Sequence, residues 1–230
     1  MSKTIIKIEG LVKRFPMGNR EFTALDGINL KFGQGEFTGL IGPSGSGKTT
    51  ILNIVGSLDN PSEGLVKVLG NDIAKLTSKT AAKLRNKHIG FIFQTYNLLP
   101  VYTVYENVEL PLLLLGYDKD TREKMIMDAL EWVDLLDKKD LRPATLSGGE
   151  SQRVAVARAM VKRPEIVLAD EPTANLDSEN SFNILEMMLS LNKELKTTFI
   201  FATHDEKVMK YLRRKIHLID GKVAKDESFK

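Results

Sequence analysis

Gly42-Pro43-Ser44-Gly45-Ser46-Gly47-Lys48-Thr49 meets every position of the phosphate-loop pattern G-x-x-x-x-G-K-[ST]. The apolar run Phe37–Ile41 leads into it as a buried strand, and 50–57 continues from it as a helix. An anion needs this arrangement. Glycines let the backbone curl until successive N–H groups face one point, and the helix that follows adds the positive end of its dipole. Lys48 then reaches the β- and γ-phosphates, and the Thr49 hydroxyl is placed to ligate Mg²⁺. The nucleotide-binding set expected here is Gly42, Pro43, Ser44, Gly45, Ser46, Gly47, Lys48, Thr49 and Thr50. A Gly/Ser-rich turn before a helix is the bland alternative, but such a turn does not require eight matched positions.

Outward from this loop, other short stretches gain meaning from its presence. Leu146-Ser147-Gly148-Gly149-Glu150 precedes Ser151-Gln152-Arg153 and a small-residue helix over 154–160. Alone, it reads as a helix start with Ser147 as N-cap. The apolar run 166–169 ends in Asp170-Glu171, and Gln94 follows the strand-like 89–93. Asn175-Leu176-Asp177 comes next, and His204 follows the strand-like 198–202. Together with the phosphate loop, these stretches resemble the ABC ATPases in motif and in order. Ser147–Glu150 matches the signature, Asp170-Glu171 the Walker B end, Gln94 the Q-loop, Asn175–Asp177 the D-loop and His204 the switch histidine. The resemblance spans nearly the whole chain.

The resemblance implies an α/β fold. Its parts are a RecA-like P-loop NTPase core with an antiparallel β subdomain, and an inserted α-helical subdomain. The boundaries expected within the single domain 1–230 are 1–94 and 163–230 for the core and 95–162 for the helical insertion. It also implies an ATPase using ATP and Mg²⁺. Thr49, Gln94 and Asp170 would attend the metal, with Glu171 as general base and with His204, Lys48 and Gln94 as the other catalytic groups. Ser147, Gly148, Gly149 and Glu150 would serve the ATP of a second copy packed head to tail, since two anion sites at two helix N-termini then share each nucleotide. Adenine would stack on Phe15, where the family more often has Tyr, and a Phe face can still stack a purine. Stacking reads shape, so ATP over GTP is an expectation from the family. Ser151 and Asn175 also depart from the commoner residues without touching a charge that the chemistry requires.

Composition bounds the rest. The 230 residues suffice for one full core, and 42% hydrophobic with 27% charged residues is ordinary for a globular chain. A net charge of +3 gives no argument for nucleic acid, which is not expected as a partner. The absence of Cys removes disulfides and thiolate metal sites. The longest apolar run, 110–115, contains Pro111 and falls far short of the ~20 residues a membrane span needs. No signal peptide is expected at Met1-Ser2-Lys3-Thr4. A transport role therefore calls for an integral membrane subunit on a separate chain, with this chain at the cytoplasmic face of the inner or plasma membrane.

Locally, Thr103-Val104-Tyr105-Glu106 is a capping box that opens a helix, with Pro111 expected to end it. Helical spacing recurs over 122–136, a further helix is expected over 179–195, and Asp220-Gly221 marks a hairpin. Strands are expected at 4–11, 25–32 and 65–69. Within the family, Leu98-Leu99-Pro100, 103–108 and Leu110-Pro111-Leu112 resemble the lipoprotein-release and macrolide-export type, and the cell-division ATPase beside it. In the family, a cleft by the Q-loop receives a coupling helix of the membrane subunit. Leu98, Leu99, Val101 and Tyr102 are candidates to line it, with subdomain core as the other reading. Two functional classes fit: a motor subunit that drives export or extraction of a lipoprotein, peptide or amphiphile, and a nucleotide-gated regulator of a cell-division or cell-wall complex.

Overall fold

A computed structural model describes residues 3–18 and 20–229. The first strands, β1 (Thr4–Met17) and β2 (Arg20–Gly33), pair antiparallel far beyond the 4–11 and 25–32 that alternation predicts. Register shifts at Ile8/Leu11, Leu11/Lys13 and Lys13/Arg14 break the period-2 pattern, and the outer part of the pair is mostly exposed. With neither alternation nor burial, that extension has no hydrophobic signature.

Next come β3 (Phe37–Ile41), α1 (Lys48–Val55), β4 (Glu63–Val68), β5 (Asn71–Asp72), α2 (Ser78–His88) and β6 (Ile89–Ile92). Three helices follow, α3 (Val104–Leu115), α4 (Lys119–Trp132) and α5 (Gly148–Met160). The remainder is β7 (Ile166–Asp170), α6 (Ser178–Leu195), β8 (Thr198–Thr203), α7 (Glu206–Met209), β9 (Arg214–Ile219) and β10 (Lys222–Ser228). One sheet is antiparallel in the order β2-β1-β4-β5. The other has the order β10-β9-β3-β8-β7-β6, parallel from β9 to β6, with β10 closing it as an antiparallel hairpin. Asp220 and Gly221 in that hairpin have φ of 48° and 73°, as a type I′ turn requires.

The parallel strands are buried on both faces, so they read as unbroken apolar runs. Alternate residues still divide between two cores. Phe37, Val167, Phe199 and Phe201 face the cluster that α3, α4, α5 and α6 fill. Leu40, Leu168, Ile200 and Ala202 face the cluster built with α1 and the antiparallel sheet. In a parallel sheet of this kind, ligands gather at the carboxyl ends of the strands. Here those ends lie side by side in the order β3, β8, β7, β6, and four of the motifs follow directly from them.

Helix α3 begins as expected, with Thr103 and Glu106 forming the reciprocal capping box. Pro111, expected to end it, instead lies inside. The proline removes only the bond to the carbonyl of residue 107, while Val104, Val108 and Leu112 keep the helix buried in the core. It stops at Gly116, whose φ of 75° lets its N–H turn back to the Leu112 carbonyl. Helix α4 starts at an Asp118 cap and ends before the expected 136, with Asp134 at φ 55° just beyond it.

Candidate functional site

The loop after β3 wraps above α1 and forms one wall of a cavity of about 350 Å³. Its lining includes Ser44 to Thr50, Gln94, Asp170, Glu171 and Phe15. Gly47 carries φ 99°, and a Cβ there would stand 2.9 Å from the Ala24 carbonyl, so only glycine fits. Lys48 is 7% exposed, and its Nζ donates to the Gly42 and Pro43 carbonyls at 2.6 and 2.9 Å. Among the described residues no carboxylate pairs with it within 4 Å. Ser46 Oγ is buried in the same loop with no protein partner. A buried cation beside an unpartnered hydroxyl suits a polyanion.

Asp170 at the end of β7 accepts the Thr49 hydroxyl at 3.0 and 3.2 Å. Burial pushes its carboxyl up, while the Thr49 hydrogen bond and then Lys48 pull against that rise and Glu171 adds to it. A desolvated carboxylate next to a hydroxyl, facing a phosphate cradle, fits a divalent cation. Among the described residues no group of three or more His, Cys, Asp or Glu could hold a metal unaided. Gln94 also lines the cavity, and the Asn175 side-chain amide donates to its backbone carbonyl at 2.8 Å.

Glu171 follows Asp170 with φ 45°, a left-handed backbone that costs a non-glycine residue about 1–3 kcal/mol. Its N–H donates to the Ala202 carbonyl of β8, which fixes the turn. The carboxylate is gripped twice: Oε2 accepts the Thr203 hydroxyl at 3.1 Å, and Oε1 lies 2.6 Å from His204 Nδ1. The β7 and β8 ends therefore bring the predicted base and the predicted switch histidine into direct contact.

Phe15 is joined on the cavity wall by a residue that motif reading misses. Phe22 is its cross-strand partner, both rings are exposed, and Phe22 and Ala24 line the same cavity. The signal in the sequence is faint: Phe22 and Ala24 sit two apart on a strand and so share a face. Lys13 Nζ lies 4.9 Å from the Phe15 ring centre and is anchored by Asp59 at 2.6 Å, so one face of that ring is taken.

Ser147, Gly148, Gly149 and Glu150 are not among the cavity's lining residues. Ser147 caps α5, with its hydroxyl accepting the Glu150 N–H at 3.2 Å and Glu150 returning the bond to the Ser147 N–H at 2.8 Å. Lys138 contacts the Glu150 carboxylate and, with the Ser147 N–H, holds it below the usual carboxylate range. A Cβ at Gly149 would lie 2.5 Å from Asn180 Oδ1 at the start of α6, so that side chain would have to shift to admit one. The expected docking residues also separate. Leu98 packs against the core, and Leu99, Val101 and Tyr102 are exposed, but none lines the apolar hollows beside β6.

Comparison with known proteins bears on this geometry. The family described as ABC transporter matches residues 25–174. The "Lipoprotein-releasing system ATP-binding protein LolD" of Bacteroides thetaiotaomicron is 40% identical over 222 residues, covering 96% of this chain and all of that protein. The "Probable syringafactin export ATP-binding/permease protein SyfD" of Pseudomonas syringae is 42% identical over 226 residues, but the match covers only 34% of its length. Among solved structures, the "Dimeric Structure of MJ0796, a Bacterial ABC Transporter Cassette" aligns with TM-score 0.90 and 40% identity over 98% of this chain and 99% of that one. A dimeric MJ0796 bound to ADP and Pi aligns equally well.

Proposed function

We propose, from the premise that this chain belongs to the ABC transporter family, that it is the ATP-driven half of a membrane complex whose two copies close head to tail around two ATP. As a member of that family it binds and hydrolyses ATP. One observation carries the dimer: the signature residues stand at the N-terminus of α5, outside the cavity that Lys48 and Asp170 line. Ser147 and the N–H groups of Gly148 and Gly149 thus need a nucleotide held by another copy. The likeness to dimeric MJ0796 cassettes supports the same arrangement.

In the cavity, Lys48 moves from its loop carbonyls to the β- and γ-phosphates, and the loop N–H groups and Ser46 Oγ join it. Thr49, Asp170 and Gln94 would hold Mg²⁺, which would supply positive charge to screen the phosphates. Glu171 accepts a proton from the attacking water as its oxygen bonds to the γ-phosphorus, and the bond to the bridging oxygen breaks to leave ADP. His204 then has a defined task. Its hydrogen bond to Glu171 passes to the γ-phosphate when ATP is bound, which frees the carboxylate for water. Residues 95–162 act as a helical unit that carries the signature to the partner's ATP.

The adenine is sandwiched by the open face of Phe15 and by Phe22. Phe15→Ala and Phe22→Ala are each expected to weaken ATP binding ~2–10-fold, the range aromatic contacts support. Both variants should bind inorganic tripolyphosphate as the parent does. Isothermal titration with the two ligands checks this, and a Phe22→Ala protein with unchanged ATP affinity would remove that residue from the site.

Among the described residues no helix is long and apolar enough to cross a membrane. The match to LolD over that protein's whole length supports a partner that is an integral subunit on a separate chain, with this chain at the cytoplasmic membrane face. The relatives' names, which speak of lipoprotein release, syringafactin export and macrolide export, favour extraction or export of an amphiphile over regulation of a cell-division complex. Tagged Glu171→Gln protein, incubated with ATP in detergent-solubilised membranes, is expected to capture a membrane subunit and a substrate-handling protein. Capture of a cell-division or cell-wall complex instead would favour the regulatory role.

A further inference from the structure

The turn that carries Glu171 is strained twice over. Its φ of 45° is left-handed, and Pro172 follows it, a neighbour that drives the preceding residue towards extended backbone. Such a turn persists only where its surroundings hold it. From the β8 side the hold is plain: Glu171 N–H donates to the Ala202 carbonyl at 2.9 Å, and Thr173 Oγ1 donates to Asp205 Oδ2 at 3.1 Å. On the other side stands α5, the helix that Ser147 caps.

Gln152 of α5 is fully buried, and its Nε2 donates to the Pro172 carbonyl at 2.6 Å. Among the described residues this is the one hydrogen bond from α5 to 171–174. Gln152 Oε1 is buried with no partner. An unpaired buried acceptor is unfavourable, and Met or Leu would fill the same space without one. The amide is therefore explained by the single bond it makes. That bond is well placed to act on Glu171. The proline ring fixes φ, so one free dihedral stands between the Pro172 carbonyl and the Glu171 backbone. In the hydrolysis step above, His204 leaves Glu171 for the γ-phosphate. The carboxylate then keeps Thr203 alone, and its aim rests on the backbone.

We infer that Gln152 is a positioning residue for hydrolysis: through the Pro172 carbonyl it holds Glu171 in the strained turn and ties that turn to α5. The inference rests on the reading of Glu171 as the general base. Without the bond, 171–172 relax towards the extended backbone that a residue before proline prefers, and the carboxylate leaves its place in the cavity. A reacting group displaced by about 1 Å loses up to ~10²-fold in rate. Lys48 and its loop share none of these bonds, so ATP affinity is untouched.

Steady-state turnover of Gln152→Met, a change that keeps the size and removes the amide, tests this. Its kcat is expected to fall ~10–10²-fold, with KM for ATP and ATP-dependent self-association those of the parent. In the Glu171→Gln background the same change is expected to add less than ~2-fold, because a residue that acts through Glu171 then has no base to position. Gln152→Glu gives a second readout. Its carboxyl donates to the Pro172 carbonyl only when protonated, and burial raises its pKa, so its turnover relative to the parent rises as pH falls. For Gln152→Met that ratio stays flat. Parent-like kcat in Gln152→Met, or losses that multiply in the double variant, overturns the positioning while leaving the base in place. Where Gln152→Met does not fold, a pH-independent ratio for Gln152→Glu overturns it in the same way. Near-normal turnover of Glu171→Gln overturns the base reading and the positioning together.

Discussion

Glu171→Gln protein is expected to bind ATP and self-associate with it, yet to turn over at least ~10²-fold more slowly than the parent, the usual loss on removing a general base. The substitution keeps size and backbone preference, so the left-handed turn at φ 45° between β7 and the following loop survives. The amide can still bond Thr203 Oγ1 and His204 Nδ1, the two groups that grip the carboxylate. Only the capacity to take a proton from water is lost. Phosphate release, measured beside nucleotide binding on the same preparation, checks the result. Near-normal turnover with intact binding would move the base role away from Glu171.

The second large effect is expected from Ser147→Arg, which should abolish ATP-dependent self-association while leaving nucleotide binding by the monomer unchanged. The new side chain fills the position a partner's γ-phosphate would approach, and it adds a cation at the positive end of α5. The cap bond from Glu150 N–H to Ser147 Oγ is lost too, at about 1 kcal/mol, so a small fall in melting temperature accompanies the change. The phosphate loop is untouched because Ser147 is not among the residues of its cavity. Light scattering with and without ATP reads the association, and fluorescence of a labelled nucleotide reads the binding. A dimer like the parent's would show that the signature does not serve the partner's ATP.

Much of the phosphate side was legible in the chain because its chemistry is contiguous. Eight consecutive residues build the loop, and Asp170, Glu171 and His204 lie directly at strand ends whose apolar runs are equally plain. What the sequence hides depends on register and on distant packing. Phe22 meets Phe15 only through a strand pair whose register shifts several times before them. Pro111 stays helical because the burial of Val104, Val108 and Leu112 outweighs one missing hydrogen bond. Gly149 belongs to a helix start, but the crowding at its Cα comes from the Asn180 side chain on another helix.

In the head-to-tail dimer proposed above, each ATP is held by Lys48 of one copy and Ser147 of the other. This arrangement is tested most directly by mixing two defective proteins, Lys48→Ala and Ser147→Arg, each in the Glu171→Gln background, and measuring association by analytical ultracentrifugation with ATP. Head-to-tail packing sets the intact signature of the first over the intact phosphate loop of the second. An ATP-dependent heterodimer is expected in the mixture, and monomers in each protein alone. Monomers in the mixture, under conditions where Glu171→Gln protein dimerises, would contradict it.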